Sequence, residues 1–512
     1  MKKKFSIKQL YDKERRSLLF GFVGILTFLG CFLFKKECGF WGIKQANQIE
    51  ELKEQLAGIT MLLVTNPPTG LTKPKGDGLT DDTATIQAIM NYASSNNIKT
   101  IEFPSKTFVV HTLNLPSTEL HLVGNNTTMK GVSTSNSVIF NQSNRAFTEI
   151  VGFEFSNCKR GIQFILPTNS STSFDYRILR CKFTSIDGAD KYGIYMDGCR
   201  EGIIKDCYSH LSSFLYHTRC VNPQLENCIV NSGTYAVNGD GDGTAYSTGI
   251  RAQNITMLGC TYGIIAKSSD DGTLIGCMID YCENPITFDC QDNFKISDSY
   301  ISTNGVNNNP VIRIKNTNND IPRGIKIHHN NLVQRGKSLN SVIDIVDAIQ
   351  DSEIVDNSIS FYQEAGISYK GSLAENLKIL NNEFSGTGSN PRYCVKSVDN
   401  SGNSANRFEG NTCSDEMFNT SHYITSRNNR LTNTSFKTHE LTGSVLLTSG
   451  STFVNVTFSR TFYSTPHHVF LSGPKLKPTY ESLTTTGMVI KTELAPTEDT
   501  TIYYSVKHLY AV

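Results

Sequence analysis

The sequence predicts an all-β solenoid, and three observations carry that prediction. Ten short alternating segments, from "YRILRCKF" to "NRFEGNTC", each close on one small polar or sulfur residue: Cys181, Cys207, Cys228, Cys260, Cys277, Ser299, Asn330, Asn357, Asn382 and Asn411. The intervals between them run 26, 21, 32, 17, 22, 31, 27, 25 and 29 residues. Such an irregular period belongs to a stack whose strands align while its turns vary. A second strand-like segment follows in these coils, as in "YGIYMDG", "YGIIAKSS" and "PVIRIKN". Composition agrees: the 512 residues include 39 glycines but only 19% charged side chains, with a net charge of +1, as suits turn-rich β-structure.

Taken in chain order, residues 1–40 form an apolar anchor or attachment segment. The uncharged run from Leu18 to Phe34 has 17 residues, the short end of a membrane-spanning helix. "KERR" before it favours a cytoplasmic N-terminus and an exported body; the alternative is a buried helix in a virion-attachment region. No small-x-small exit marks a cleavable signal, and the apolar run continues past Cys31 of "FLGC", against a lipoprotein box. Residues 41–66 read as a short stalk. Ile49, Leu52, Leu56, Ile59 and Leu63 make an a/d seam, which suits a trimeric coiled coil or an ordinary amphipathic helix.

Residues 67–440 hold the solenoid. At its start, "KGDGLTDDTATIQAIMNYA" gathers Asp77, Asp81 and Asp82 before an apolar face of Ile86, Ile89, Met90 and Ala93. The spacing predicts a turn and a helix capped by Asp81 or Asp82, a structural role for the aspartates. The opening from Gly76 to Gln87 resembles the start of the right-handed parallel β-helix proteins of the pectate-lyase superfamily, which include phage tail-spike depolymerases and relatives of polygalacturonases. The resemblance implies that fold, with this segment capping the first coil. It does not select a reaction, since the family includes hydrolases, lyases and non-enzymes.

Residues 441–512 lose the coil pattern and read as alternating strands of a small antiparallel β-sandwich. This part resembles the C-terminal domains of tail spikes and fibres, which trimerise or bind glycans. His467 and His468 beside Pro466 read as solvated turn residues.

The chain has 14 cysteines, but five share one ladder position with Ser and Asn. They read as reduced thiols packed inside the solenoid, consistent with folding in a reducing compartment. No Cys-x-x-Cys pair suggests zinc. No basic stripe appears, so no nucleic-acid partner is expected.

Chemistry is expected on the second strand of each coil. If Ile194, Val237, Ile264, Ile286, Ile312, Ile343, Ile367 and Val395 point inward, alternation turns Tyr195, Asp197, Asn238, Asp240, Ile265, Lys267, Thr287, Asp289, Arg313, Lys315, Asp344, Val346, Ser368, Lys370 and Lys396 outward. The register of "FLYHTRC" stays open. This stripe is either a solvated face with cross-strand ion pairs or a polysaccharide groove. In the second reading Asp240 and Asp289 are the catalytic carboxylates. With one coil between them their backbones lie roughly 9.6 Å apart, and side chains can close this to the separation of inverting glycosidases. Lys267, Arg313, Lys315, Tyr195, Asp197 and Asp344 would bind substrate. "VIRIKNT" carries the Arg-Ile-Lys of polygalacturonases, which implies that Arg313 and Lys315 contact a substrate carboxylate. "SSDDGT" echoes that family's Asp-Asp pair at Asp270 and Asp271, although after the strand rather than before it; the family's Gly-His-Gly is absent. Asp242, Asp270 and Asp271 are the alternative catalytic carboxylates. No cofactor is expected beyond calcium at Asp240 and Asp242, an Asp-x-Asp-Gly loop without evident further ligands.

The expectation is a homotrimeric hydrolase or lyase acting on an acidic capsule or exopolysaccharide, at a virion tail or cell surface. A lyase would use Lys267 or Lys315, beside Tyr195 or Arg313, in place of the carboxylate pair. The alternative is a non-catalytic glycan-binding attachment protein on the same scaffold.

Overall fold

The computed structural model describes residues 61–166, 176–240, 247–267, 269–289, 292–316, 321–335, 341–361, 363–370, 374–386, 393–397, 406–413, 430–432, 440–457, 468–473, 477–484 and 486–507. The apolar run Leu18 to Phe34 and the seam from Ile49 to Ile59 lie outside these residues. Among the described residues, no helix is long and apolar enough to cross a membrane. Leu63, the last seam position, belongs to the strand Met61–Leu63, which pairs in parallel with Thr100–Phe103. The stalk reading is corrected there, because pairing with the first coil claims this segment as an edge strand.

Helix α1 (Thr83–Ser95) buries Ile86, Ile89, Met90 and Ala93 and ends at Asn96. Asp82 occupies the N-cap but makes no capping hydrogen bond. Its buried carboxylate instead accepts the N–H groups of Lys75 at 2.7 Å and Gly76 at 2.9 Å, pinning the preceding turn. Asp81 accepts from the Thr83 N–H at 2.9 Å. The aspartates are structural, through a local contact that cap preference alone does not specify.

Three strands then repeat. Tyr176–Leu179, Lys182–Thr184 and Tyr192–Asp197 are followed by Arg200–Lys205, Tyr208–His210 and Leu215–Thr218, each pairing in parallel with its counterpart. The first two strands of each coil belong to a 27-stranded sheet and the third to a 12-stranded sheet running from Thr112–Asn114 to Tyr393–Ser397. Parallel strands joined by such crossovers wind right-handed. Apolar side chains from every coil fill one continuous core.

A sharp corner joins the first two strands. Arg180, Asp206, Asn227, Asn254, Gly276, Asp298, His329, Asp356, Asn381 and Gly410 all take left-handed backbone there, with φ between 51° and 67°. Asn, Asp and Gly tolerate this region best. The next residue forms the interior ladder: Cys181, Cys207, Cys228, Ile255, Cys277, Ser299, Asn330, Asn357, Asn382 and Asn411. Ile255 corrects the sequence register. The Thr256 N–H bonds to the Cys228 carbonyl, whereas Cys260 sits at the following corner, where its carbonyl accepts the Glu283 N–H. Both corners place a small residue after a left-handed one, so "LGC" imitates "ENC". With Ile255 the intervals of 32 and 17 become 27 and 22. The ten cysteines whose side chains are described are buried free thiols.

The asparagine rungs interlock. Asn357 Oδ1 accepts the Asn330 N–H at 2.9 Å and the Asn330 side-chain amide at 3.0 Å. Its own Nδ2 donates to the Ile327 carbonyl at 2.8 Å and to Asn382 Oδ1 at 3.0 Å.

Stacking also reverses one expectation. The chain shows no basic stripe in sequence, yet register places Arg251, Lys295 and Lys326 in one outward row of the larger sheet. Sequence separation hid a pattern that the coils assemble.

Glu440–Leu447, His468–Ser472 and Thr500–Lys507 form one antiparallel sheet, and Phe453–Thr457, Thr479–Glu481 and Gly487–Lys491 another. Leu447, Val456, Met488, Ile490, Ile502 and Val506 form a core of their own. His468 begins a strand rather than lying in a turn, because strand pairing with Lys507 extends to it; His467 lies outside the described residues.

Asn357→Ala leaves at least two buried polar groups unsatisfied, at about 1–3 kcal/mol each. We expect a markedly lower thermal midpoint, measured by calorimetry; a wild-type midpoint would remove the ladder as a stabilising device.

Candidate functional site

In-register pairing turns alternation along a strand into straight rows across coils. The inward row of the 12-stranded sheet reads Ile162, Ile194, Leu215, Val237, Ile264, Ile286, Ile312, Ile343, Ile367 and Val395. All are buried, as expected. Leu215 fixes the open coil "FLYHTRC", which inserts a rung between Asp197 and Asp240.

Two outward rows define the surface. One runs Asp197, Thr218, Asp240, Lys267, Asp289 and Lys315. Beside it run Tyr195, Tyr216, Asn238, Ile265, Thr287, Arg313, Asp344, Ser368 and Lys396. Asp240 and Asp289 thus flank Lys267 two rungs apart, about 9.6 Å between backbones.

The charges pair along the stack. Lys267 Nζ lies 3.1 Å from Asp240 Oδ1, and Lys315 Nζ lies 3.1 Å from Asp289 Oδ2. Arg313 Nε is 3.9 Å from Asp344 Oδ2, whose other oxygen accepts the Ser368 hydroxyl at 2.7 Å. Asp197 accepts from Arg219 Nε at 2.6 Å, a partner the sequence reading missed. Asp240 is 41% exposed at its side chain but Asp289 only 5%. This corrects the expectation that both carboxylates are solvated: Asp289 points outward, yet it is packed, with Lys315 of the next rung against it.

The alternative carboxylates lie elsewhere. Asp270 belongs to the short strand Ser269–Asp270, paired with Ser247–Thr248 off the main sheet. Asp271 is an exposed corner residue at φ 56°, its N–H bonded to the Asp292 carbonyl. Asp242, and with it half of the calcium reading, lies outside the described residues.

Beside Asp240 sits a tyrosine cluster not singled out as a group from the sequence. The Tyr195 and Tyr216 rings stack at 4.7 Å and 11°, with the Arg160 guanidinium 3.5 Å from the Tyr195 centroid. Tyr192 packs 5.1 Å from Tyr216, and Tyr235 stacks on Tyr262 at 5.0 Å. Asn238 Nδ2 donates to Tyr192 Oη at 3.1 Å. Burial pushes the Tyr192, Tyr195 and Tyr216 phenols up, and the Asp240 charge adds to this at Tyr216. They stay protonated, as hydrogen-bond donors beside an aromatic surface. The recurring Tyr of "YGIY", "FLYH", "YAVN" and "YGII" was the available signal.

Under this surface His217 is completely buried, and neither ring nitrogen has a partner among the described residues. Gly239 on the next rung makes room: a Cβ there would stand 2.7 Å from His217 Nε2. Burial pushes the imidazole down from 6.5 to about 4, against the nearby Asp240 charge. The unfolded chain therefore binds the extra proton first. Stability present above pH 6.5 is lost as pH falls toward 4, by about 3 kcal/mol. His217→Met should flatten that part of the stability–pH curve measured by denaturant unfolding; an unchanged slope would contradict it.

Residues 74–287 match the family model described as "Rhamnogalacturonase A/epimerase, pectate lyase-like". Among curated proteins, no sequence relative is found. Similar solved structures include the mannuronan C-5 epimerase A-module of Azotobacter vinelandii, 13% identical over 69% of this chain and 99% of that one, with a TM-score of 0.48. The tailspike protein of E. coli bacteriophage HK620, bound to a pentasaccharide, is 10% identical over 90% and 95%, at 0.47. Tailspike protein 3 of bacteriophage CBA120 is 14% identical over 75% and 62%, at 0.43. Residues 74–287 are thus similar to a pectate-lyase-like family, and their strands are those of the parallel β-helix.

Proposed function

We propose that the protein hydrolyses glycosidic bonds of an acidic bacterial surface polysaccharide along the 12-stranded sheet, as a tail-spike-like depolymerase. The observation that carries this reading is the in-register column Asp240–Lys267–Asp289–Lys315 beside the tyrosine cluster. The family model's description, which names a rhamnogalacturonase, supports a polysaccharide substrate for the matched residues.

In this reading the chain lies along the rows, sugar faces against Tyr195 and Tyr216 and acidic substituents toward Lys267 and Arg313. One carboxyl of the Asp240–Asp289 pair protonates the departing glycosidic oxygen. The other takes a proton from the water that attacks the anomeric carbon. A lyase base drawn from Lys267 or Lys315 has less support, since both ammonium groups are ion-paired. The raised phenols likewise make poor bases. The attachment-protein reading is favoured by one observation, the mutual pairing of the stripe's charges, which a solvated sheet face also makes.

Asp240→Asn should lower kcat at least about a hundredfold on a susceptible capsule, with the fold intact. Asp289→Asn should lower it similarly and also lower the thermal midpoint, because it removes a buried partner of Lys315, at about 1–3 kcal/mol. Reducing-end release and melting curves check both. Near-normal turnover in both variants, or no product from any capsule, would leave the binding protein as the better reading.

We also propose a homotrimer at a virion tail, from the remaining seam positions Ile49, Leu52, Leu56 and Ile59 and the C-terminal sheets. Light scattering on the full chain should give three copies; a monomer that retains activity would exclude this assembly.

A further inference from the structure

Away from the groove, the larger sheet carries a row whose charges do not cancel. Adjacent rungs of other outward rows set opposite charges in register: Lys182 against Glu154 at 3.2 Å and Lys205 against Glu226 at 2.6 Å. The outward row through Arg251, Thr273, Lys295 and Lys326 breaks that habit. Lys295 and Lys326 face each other on neighbouring rungs, an arrangement that is destabilising by itself. All three basic side chains are exposed, and none has an ion pair among the described residues. Glu353, on the next rung, is already engaged by Lys378 at 2.8 Å.

We propose that this row binds a linear anionic polysaccharide, at a second site separate from the tyrosine-lined groove. The three cations span four rungs, three spacings or about 14 Å, in a straight line set by the backbone. A rigid line of like charges is complementary to an extended polymer that repeats an acidic group along its length, and a bound polymer offsets the repulsion within the row. A single-stranded nucleic acid would in addition use aromatic stacking platforms. The adjoining outward row, Gln253, Ile275, Ser297 and His328, offers no Phe, Tyr or Trp. The proposal stands on this row and does not depend on catalysis in the groove.

The test is binding of the full-length protein to polygalacturonate at low ionic strength, with neutral dextran as control. Arg251→Gln/Lys295→Gln/Lys326→Gln should bind about tenfold more weakly, or less tightly still, a loss of about 1.4 kcal/mol or more. Wild type and triple variant carry the same tyrosine-lined face, so failure of the catalytic reading leaves this comparison intact. The triple variant should melt no lower than wild type, because it relieves the Lys295–Lys326 repulsion, and Lys295→Arg/Lys326→Arg should keep affinity. Equal affinity of wild type and triple variant would overturn the proposal. So would loss of binding in the charge-conserving variant, a lowered melting point of the triple variant, or competition by single-stranded DNA as effective as that by polygalacturonate.

Discussion

Parallel, in-register pairing sets each rung about 4.8 Å from the next, so the nearest neighbours of almost every residue are its counterparts one coil earlier and one coil later. Selection therefore acts on columns. An inward column must stay apolar through every coil, as the row from Ile162 to Val395 does. A corner column must accept left-handed backbone, as the one from Arg180 to Gly410 does. An outward column must alternate its charges or accept repulsion. Because each coil contacts mainly its neighbours, stability accumulates rung by rung. A polar side chain can enter the interior only where the next rung completes its hydrogen bonds. The asparagine ladder meets that condition; in the earlier coils cysteine, which needs little from its neighbours, takes the place. The Cys207 and Cys228 thiols contact backbone carbonyls, those of Lys205 at 3.4 Å and Glu226 at 3.3 Å in their own coils and those of Ile178 and Ile204 at 3.6 Å. Burial pushes the Cys207 thiol well up, so it stays protonated and unreactive.

This column logic explains what could be read from the sequence. The repeat, the cap helix and the inward face were legible because each depends on local alternation or spacing. The ladder slipped at one rung, Ile255 against Cys260, because two corners of the same coil present the same local chemistry and only pairing tells them apart. The candidate site divided along the same line. Alternation placed Asp240, Lys267, Asp289 and Lys315 correctly in one row. The burial of Asp289, the clustering of Tyr192, Tyr195 and Tyr216, and the Arg219–Asp197 pair depend on which coils are neighbours. The basic row was invisible for the same reason, since Arg251, Lys295 and Lys326 are far apart in the chain.

The 12-stranded face gains a particular character from this construction. Its polar surface rests on a core that tolerates one exception, His217, buried directly below the Tyr216–Asp240 region with no hydrogen-bond partner among the described residues. An apolar residue of similar size would pack there without the desolvation cost of unpartnered nitrogens. Gly239 is the matching concession on the next rung, giving up a side chain so that the imidazole fits. Two adjacent rungs thus depart from the column rule at the same place, immediately under the carboxylate that is most open to solvent.

A solenoid face differs from a pocket in how it meets a ligand. A pocket encloses a small molecule, whereas stacked rungs offer a flat lattice of fixed repeat on which any extended chain can lie in several registers. Recognition on such a face must come from the sequence of side chains along a column, because the backbone geometry is the same at every rung. The 12-stranded sheet varies that sequence strongly, from tyrosines through asparagine to alternating acids and bases, and so makes each register distinct. The row on the larger sheet repeats one charge at Arg251, Lys295 and Lys326, with Thr273 between the first two. The first arrangement suits chemistry at a chosen linkage and the second suits holding a long anionic chain that slides. Both follow from the same stack, read down different columns.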